Sequence, residues 1–192
     1  MLERGIFPQK KKATSMKIIR KIGEMKDLNL RGSVGFVPTM GALHDGHLSL
    51  IRKAKEENKT VVVSIFVNPT QFSPGEDLNG YPRNEEKDIE MLEQEGVEVL
   101  FLPEVSEIYK DDFSIQISFP YLTDCLCGTN RPGHFEVVAV VVGKLFNIVQ
   151  PTSVYFGQKD YQQAIVVRQL IRDLNFPIQM NILPIIREES GL

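Results

Sequence analysis

The sequence lacks several features that would assign it to a specialised class of protein. Its 192 residues contain two cysteines, and no stretch reaches the roughly 18–20 uninterrupted apolar residues that a membrane span needs. The cysteines, Cys125 and Cys127, are one residue apart, a spacing at which a relaxed disulfide rarely forms. The net charge of -3 gives no global electrostatic reason to expect a nucleic acid partner. We therefore expect a globular protein of a reducing, cytoplasmic setting, with no membrane partner.

Positive charge is concentrated near the amino terminus. Residues 1–31 contain 9 Lys or Arg against 3 Asp or Glu, including a run of three lysines. No long apolar segment follows these lysines, so we do not expect a secretory signal. A second methionine, Met16, suggests that residues 1–15 form a flexible, solvated extension and that residues 16–192 form one domain.

Short apolar runs alternate with helical patterns along the rest of the chain. Strands are predicted at 34–37, 60–67, 97–102, 114–119, 153–156 and 178–186, and helices at about 45–58, 85–95, 136–149 and 161–174. This alternation predicts an α/β fold with a Rossmann-like, doubly wound parallel sheet. In such sheets ligands bind beyond the carboxyl ends of the strands, so the loops that follow strands are the informative ones.

The loop between the first predicted strand and the first helix, residues 38–47, has the character of a phosphate site. A helix N-terminus presents unpaired amide donors and the positive end of a dipole, which suit phosphate. His44 and His47 are two of three histidines in the chain and can donate hydrogen bonds to a polyphosphate. Gly41 and Gly46 would let a ligand approach the backbone closely.

Three further segments carry polar side chains in similar positions. Lys159 follows a later strand, where its charge could neutralise a phosphate in a transition state. Asn68 and Gln71 are uncharged donors and acceptors after the second buried strand. Arg131 lies in a glycine-containing segment that lacks the Lys and the following Ser or Thr of a P-loop, so that interpretation is rejected, although an anion contact remains open.

Several of these residues also have simpler structural explanations. Asp45 is most simply a helix N-cap, and Asp160 with Gln163 resembles a capping box. Asn68 is explained almost as well by a turn before proline, and Arg131 by a surface position. The two loop histidines could face solvent or, with the cysteines, hold zinc. Because nucleophile-elbow and Gly-x-Gly-x-x-Gly motifs are absent, the residues alone favour a nucleotide or polyphosphate site between two helix N-termini.

These segments in this order resemble one family of enzymes, the pantothenate synthetases (pantoate–β-alanine ligases), over roughly residues 16–192. The matching segments are 38–47, 68–72, 131–135, 144–151 and 157–163. The resemblance implies a nucleotide-binding domain of the HIGH-motif nucleotidylyltransferase type that uses ATP and Mg²⁺. Pantoate would attack ATP to give pantoyl adenylate and pyrophosphate, and β-alanine would convert the adenylate to pantothenate and AMP. It also implies a homodimer.

The resemblance further implies roles for particular residues. ATP would contact Met40, Gly41, Ala42, Leu43, His44, Asp45, Gly46, His47, Gly157, Gln158, Lys159, Asp160 and Ile186. Substrate would contact Gln71, Gln163, Pro38, Thr39, Asn68 and Arg131. His47 would act as proton donor, with His44 and Lys159 also catalytic, while Asp88 near magnesium and Tyr81 are weaker candidates.

The chain departs from the family pattern at its carboxyl end. The family continues past this point into a Ser-Ser-Arg-Asn segment and a small C-terminal lid domain, whereas this sequence stops at Leu192. We therefore expect weak or no turnover from the 192-residue polypeptide. Two other functions stay open, a non-catalytic nucleotide-binding or dimerisation module and another adenylyl- or cytidylyltransferase. The pair Gln71 and Gln163 favours pantoate over the latter.

Overall fold

A computed structural model describes residues 15–72, 78, 80–119, 121–123 and 127–187, and within these ranges one sheet organises the chain. Its strands are β1 (Lys17–Ile19), β2 (Val34–Thr39), β3 (Thr60–Ile65), β4 (Val99–Phe101), β5 (Ser153–Gly157) and β6 (Gln179–Leu183). The strand order is β1-β4-β3-β2-β5-β6, and every pairing is parallel. The predicted α/β fold with a Rossmann-like parallel sheet is confirmed.

Helices connect and cover the strands. They are α1 (Ile22–Asp27), α2 (Asp45–Glu57), α3 (Glu85–Gln94), α4 (Val105–Ile108), α5 (Cys127–Asn130), α6 (His134–Val149) and α7 (Tyr161–Asp173). Short 3₁₀ turns occupy Pro69–Gln71 and Gln158–Asp160. Among the described residues, no helix is long and apolar enough to cross a membrane.

The order of the strands places a topological switch between β2 and β5. From β2 the chain proceeds outward through β3 to β4, and it later returns to the other side of β2 to form β5 and β6. Helices therefore diverge to opposite faces beyond β2 and β5, which leaves a crevice at their carboxyl ends. His44 and His47 follow β2, Lys159 follows β5, and all three side chains line this crevice.

The continuous apolar strands are explained by burial on both faces of the sheet. In β3, Val62 belongs to a core formed with α6 and α7, whereas Val61 and Val63 belong to a second core formed with α2 and α3. All three valines are completely buried. A strand covered on both sides has no need for polar alternation, which is why 60–65 reads as an unbroken apolar run.

Two predictions about elements had opposite outcomes. The valine-rich segment 136–149 is helical as predicted, because a helix buried on nearly every side tolerates β-branched residues that a surface helix would not. The strand predicted at 114–119 is wrong: residues 113–119 form neither strand nor helix, and Ile115 is 65% exposed. The sheet edge is instead taken by β1, a three-residue strand whose lysine-rich surroundings gave no signal.

The ends of several elements also differ from prediction. β3 ends at Ile65 and β6 at Leu183, the latter directly before Pro184, which has no amide hydrogen for a ladder bond. The short helices α1, α4 and α5 were not predicted. The proposed extension at 1–15 falls, except for its last residue, outside the described residues, so the domain boundary stays a prediction.

Candidate active site

A cleft of about 570 Å³ lies at the carboxyl ends of the central strands. It brings together thirteen of the predicted site residues, which are Pro38, Thr39, Met40, His44, Gly46, His47, Gln71, Arg131, Gly157, Lys159, Asp160, Gln163 and Ile186. Tyr81 lines it as well. The sequence positions span the chain, and the fold gathers them because most follow a strand of the same parallel sheet.

The loop after β2 uses its backbone amides within the fold. The amide of Gly41 donates to Thr39 Oγ1 at 3.2 Å, and those of Ala42 and Leu43 donate to the Asp88 carboxylate at 2.9 and 2.8 Å. Gly41, Ala42 and Leu43 do not line the cleft. These three amides are thus engaged within the fold, and the approach of a ligand to the Gly41 backbone stays a prediction.

Four other predicted residues also lie away from the cleft wall. Asp45, Asn68 and Gln158 flank the wall without lining it, and Asp88 is buried behind it. Asn68 is completely buried, and its Oδ1 accepts from the amide of Thr70 at 3.3 Å and from its hydroxyl at 2.9 Å. These bonds support the turn-forming explanation of Asn68.

His44 caps helix α2 with its own ring. Its Nδ1 accepts from the amide of Gly46 at 3.1 Å, whereas Asp45 is the first helical residue, so the predicted Asp45 cap is wrong. An accepting Nδ1 leaves the hydrogen of a neutral ring on Nε2, which makes Nε2 a donor. A side chain at position 46 would displace the His44 ring, because a Cβ there would lie 2.8 Å from His44 Cε1.

His47 stacks at a tilt on His44, with ring centroids 4.1 Å apart. Burial, followed by the neighbouring His44 ring, lowers the pKa of His47 from 6.5 to about 4. The ring is therefore neutral at pH 7, and its buried Nδ1 has no hydrogen-bond partner among the residues described. A polyanion in the cleft would act in the opposite direction and raise this pKa.

Lys159 and Asp160 form the other side of the crevice, in the 3₁₀ turn after β5. Lys159 Nζ lies 3.7 Å from Asp160 Oδ1, and both side chains are largely exposed. Asp160 precedes α7 but makes no side-chain cap bond, so the alternative explanation of Asp160 as part of a capping box is wrong. Both charges thus remain accessible to a ligand between β2 and β5.

A cluster that sequence reasoning missed in part holds Gln71 in place. The carbonyl of Gln71 lies 3.3 Å from Arg131 Nη2 and 3.2 Å from His134 Nδ1, and Arg131 Nη1 lies 3.2 Å from His134 Nε2. The geometry fits a neutral His134 that donates from Nδ1 and accepts at Nε2. Arg131 is thus hydrogen-bonded to the cleft wall. His134 was not predicted as a site residue, although its place as the third histidine of the chain, three residues after Arg131, was an available signal.

The cleft also has an apolar wall that the sequence did not reveal. Helix α6 contributes Val138, Val141, Val142 and Leu145, and further apolar members are Leu50, Phe66, Phe72 and Phe156. Periodicity marks such residues as buried but does not separate a cleft wall from a core. The cleft lining therefore combines amide and cationic groups with a hydrocarbon surface.

The described residues do not form a cage for a metal ion. None of their His, Cys, Asp and Glu side chains make a group of three or more that could hold one. Among the described residues that line the cleft, Asp160 is the one carboxylate. Asp88 does not line it, and both of its oxygens accept amide bonds within the fold. Cys127 is a free, exposed thiol, and Cys125, the other cysteine of the zinc alternative, lies outside the described residues.

Comparisons with known proteins point to one group of enzymes. A family model described as pantoate-beta-alanine ligase matches residues 13–192. The pantothenate synthetase of Thermodesulfovibrio yellowstonii is 54% identical over 177 residues, which cover 92% of this chain and 62% of the relative. That of Thermosipho melanesiensis is 52% identical over 182 residues, covering 92% and 65%. The chain thus spans less than two thirds of the length of these relatives.

Solved structures agree in fold. Pantothenate synthetase from Thermus thermophilus matches with a TM-score of 0.90 and 49% identity, over 92% of this chain and 64% of that one. Pantoate-beta-alanine ligase from Francisella tularensis, complexed with beta-gamma ATP and beta-alanine, matches with a TM-score of 0.90 and 43% identity, over 93% and 70%.

Proposed function

The chain belongs to the pantoate-beta-alanine ligase family, and from this premise we propose that its cleft binds ATP and pantoate for the synthesis of pantothenate. The reaction would consume ATP, pantoate and β-alanine and release AMP and pyrophosphate through a pantoyl adenylate. One observation carries the proposal. Groups suited to phosphate, His44, His47 and Lys159, share a single cleft with Gln71 and Gln163 over an apolar wall.

In the first step a carboxylate oxygen of pantoate bonds to the α-phosphorus of ATP. The bond from that phosphorus to the bridging oxygen breaks, and its electron pair leaves with pyrophosphate. Negative charge then grows on the phosphate oxygens, where Lys159 and the Nε2–H of His44 can stabilise it. Bound polyphosphate raises the pKa of His47 from its low value, which suits a proton donor to the leaving group.

In the second step the amine of β-alanine bonds to the acyl carbon of the adenylate. The bond from the acyl carbon to the phosphate oxygen breaks, AMP leaves with the electron pair, and the nitrogen loses a proton. The acyl carbon must be protected from water until the amine arrives. Gln71 is held against Arg131 and His134, so its side chain enters the cleft from a fixed support.

The apolar wall suits pantoate better than a carboxylate substrate without methyl groups. Pantoate carries two methyl groups on one carbon, flanked by hydroxyl groups and a carboxylate. The valines of α6 and Phe66 offer an apolar surface for the methyl groups, and Gln71 and Gln163 offer amides for the oxygens. Burial of such methyl groups contributes about 0.8 kcal/mol for each carbon removed from water.

We expect Mg²⁺ to enter this site bound to the phosphates of ATP, rather than to be held by a set of ligands from the chain alone. Mg²⁺ commonly bridges substrate phosphates and one or two carboxylates and keeps several waters. Asp160 is the carboxylate on the described wall that could take part. When bound, the ion supplies charge neutralisation to the phosphates.

We also propose a homodimer in a cytoplasmic setting, as the family resemblance implies. Ile115 and Tyr121 are 65% and 89% exposed, and a dimer would give such apolar side chains a surface to contact. Sedimentation equilibrium tests this, because a mass near twice 21.8 kDa is expected and a monomer at all concentrations would contradict it.

Pyrophosphate release tests the proposed activity. The rate is measured with ATP and pantoate, with and without β-alanine, for the unaltered chain and for His47→Asn and Lys159→Ala. Each substitution is expected to lower the rate about 100-fold, since Lys159→Ala removes a positive charge and His47→Asn removes the ring that can transfer a proton. Lys110→Ala, which removes an exposed lysine outside the cleft, is the control and should leave the rate unchanged.

Two results would contradict the proposal. Unchanged rates in both variants would remove His47 and Lys159 from the chemistry. If the chain binds ATP but the addition of pantoate causes no release of pyrophosphate, the non-catalytic module would be favoured instead. The comparison between each variant and the unaltered chain, rather than the absolute rate, carries the test.

A further inference from the structure

The carboxylate of Asp88 lies beneath the loop that leads into helix α2. Asp88 belongs to the first turn of α3 and is 3% exposed. Its Oδ2 accepts from the amide of Ala42 at 2.9 Å and its Oδ1 from the amide of Leu43 at 2.8 Å. Hydrogen bonds from amides to an ionised carboxylate are about twice as strong as neutral ones, so this contact is a strong attachment between α3 and the loop.

The loop adopts a backbone conformation that needs such an attachment. Gly41 and Ala42 have consecutive positive φ angles of 83° and 51°. For alanine the left-handed region costs about 1–2 kcal/mol, and the two carboxylate bonds can offset that cost. Gly41 lies directly on the carboxylate, because a Cβ there would be 2.9 Å from Asp88 Oδ2.

The same attachment determines where the histidines lie. Leu43, whose amide Asp88 holds, immediately precedes His44, the N-cap of α2, and His47 lies in the first turn of that helix. A rotation of the amides of Ala42 and Leu43 would therefore move the start of α2 against the cleft. The negative charge of Asp88 also acts on His47 through space and opposes the lowering of its pKa.

The contacts of Asp88 do not suit a metal ligand. Each oxygen already accepts one amide, the group is buried, and it does not line the cleft. The resemblance had placed Asp88 near magnesium. We propose instead that Asp88 is a positioning residue, which sets the loop at Gly41–Leu43 and thereby the places of His44 and His47 for phosphate binding. Its consequence for ATP rests on the proposed function, whereas its hold on the loop does not.

The test compares Asp88→Asn with a matched control on the same helix. Glu86→Gln removes the same charge from an exposed position two residues away. An asparagine oxygen can accept one of the two amides, and its NH₂ group then faces the other donor. We expect the amide of Ala42 or Leu43 to exchange with deuterium about tenfold faster or more in Asp88→Asn, because a charged hydrogen bond is lost.

Three further readouts accompany the exchange measurement. The affinity for ATP, measured by calorimetry, should fall about tenfold or more in Asp88→Asn. The pKa of His47, measured by NMR, should fall further below 4, whereas a loss of stability alone would leave it unchanged. Binding of Mn²⁺ without nucleotide, followed by electron paramagnetic resonance, should be the same in Asp88→Asn and in the unaltered chain. Glu86→Gln should change none of these, and the amides of core residues Val62 and Leu100 should stay protected.

The opposite results would overturn the inference. Unchanged exchange at Ala42 and Leu43 in Asp88→Asn would show that the carboxylate does not hold the loop. Mn²⁺ binding that disappears in that variant would make Asp88 a metal ligand. If Asp88→Asn does not fold, Asp88→Glu keeps the charge and lengthens the side chain, and unaltered amide shifts in it would equally contradict the inference. An unaltered chain that fails to bind ATP contradicts the proposed function alone, since the exchange result still stands.

Discussion

His47 is held in its neutral form by its surroundings, which gives the cleft a defined response to pH. Burial and the His44 ring lower its pKa to about 4. NMR titration of the ring should therefore give a midpoint near 4 in the free chain, and pyrophosphate should raise that midpoint because it adds negative charge. A midpoint near 6.5 in the free chain would contradict the described packing.

The same shift has a consequence for stability. Above pH 6.5 the ring is neutral in both states; as the pH falls from 6.5 to 4, the unfolded chain binds a proton that the folded chain does not. Stability present above pH 6.5 is thus lost progressively, by about 2 kcal/mol between pH 7 and pH 5. Urea unfolding at the two pH values should show a smaller loss in His47→Asn, whereas equal losses would contradict this account.

Gly46 offers a way to separate stability from ligand binding. Alanine is a better helix residue than glycine by up to about 1 kcal/mol, but its Cβ would displace the His44 ring. Gly46→Ala is therefore expected to leave the melting temperature unchanged or higher while weakening ATP binding about tenfold. Gly23→Ala, in α1 with open space around the position, is the control that should leave ATP binding unchanged.

Residue types in the cleft could be predicted, but their partners could not. His44, His47 and Lys159 meet because each follows a strand, and strand position is readable from the sequence. The sequence predicts Asp45 as the N-cap of α2, but His44 forms it. Both side chains can accept a hydrogen bond from a helix amide, so the prediction depends on placing the start of the helix to within one residue. The attachment of Asp88 to Ala42 spans 46 positions, a distance at which local pattern carries no information.

At the scale of elements, Tyr155 joins the end of α2 to strand β5. Its buried hydroxyl donates to Glu57 Oε2 at 2.7 Å and accepts from Asn58 Nδ2 at 2.7 Å. Tyr155→Phe leaves both partners without this hydroxyl and should lower the free energy of unfolding by about 1–3 kcal/mol, measured with urea. Tyr161→Phe, at a 53% exposed tyrosine, should change it little; an equal change in both variants would contradict a structural role for the Tyr155 hydroxyl.

Elements were predictable where length and burial agreed. Segment 136–149 is too long for a strand, and its burial makes it the helix α6 despite its valines. Segment 114–119 alternates as a strand does, yet a strand also needs a neighbour, and β1 already occupies that edge of the sheet beside β4. Pairing of edges depends on the whole sheet, so a pattern of six residues could not decide it.

At the scale of the molecule, the sheet topology followed from alternation of strands and helices. Parallel strands need crossover helices, and the switch point between β2 and β5 then fixes where a ligand can bind. The chemistry of the cleft was less accessible, because the valines of α6 serve as core and as wall at once. The proposed preference for pantoate depends on that wall, because the polar residues alone do not define it.

Calorimetric titration of the 192-residue chain with ATP and with pantoate, separately and together, tests the central claim most directly. We predict that each ligand binds and that both occupy the chain at once. Lys159→Ala should lower the affinity for ATP about tenfold without changing the affinity for pantoate. Gln163→Ala should lower the affinity for pantoate about tenfold without changing that for ATP. Failure of both ligands to bind, or affinities that neither substitution changes, would contradict a shared site in this cleft.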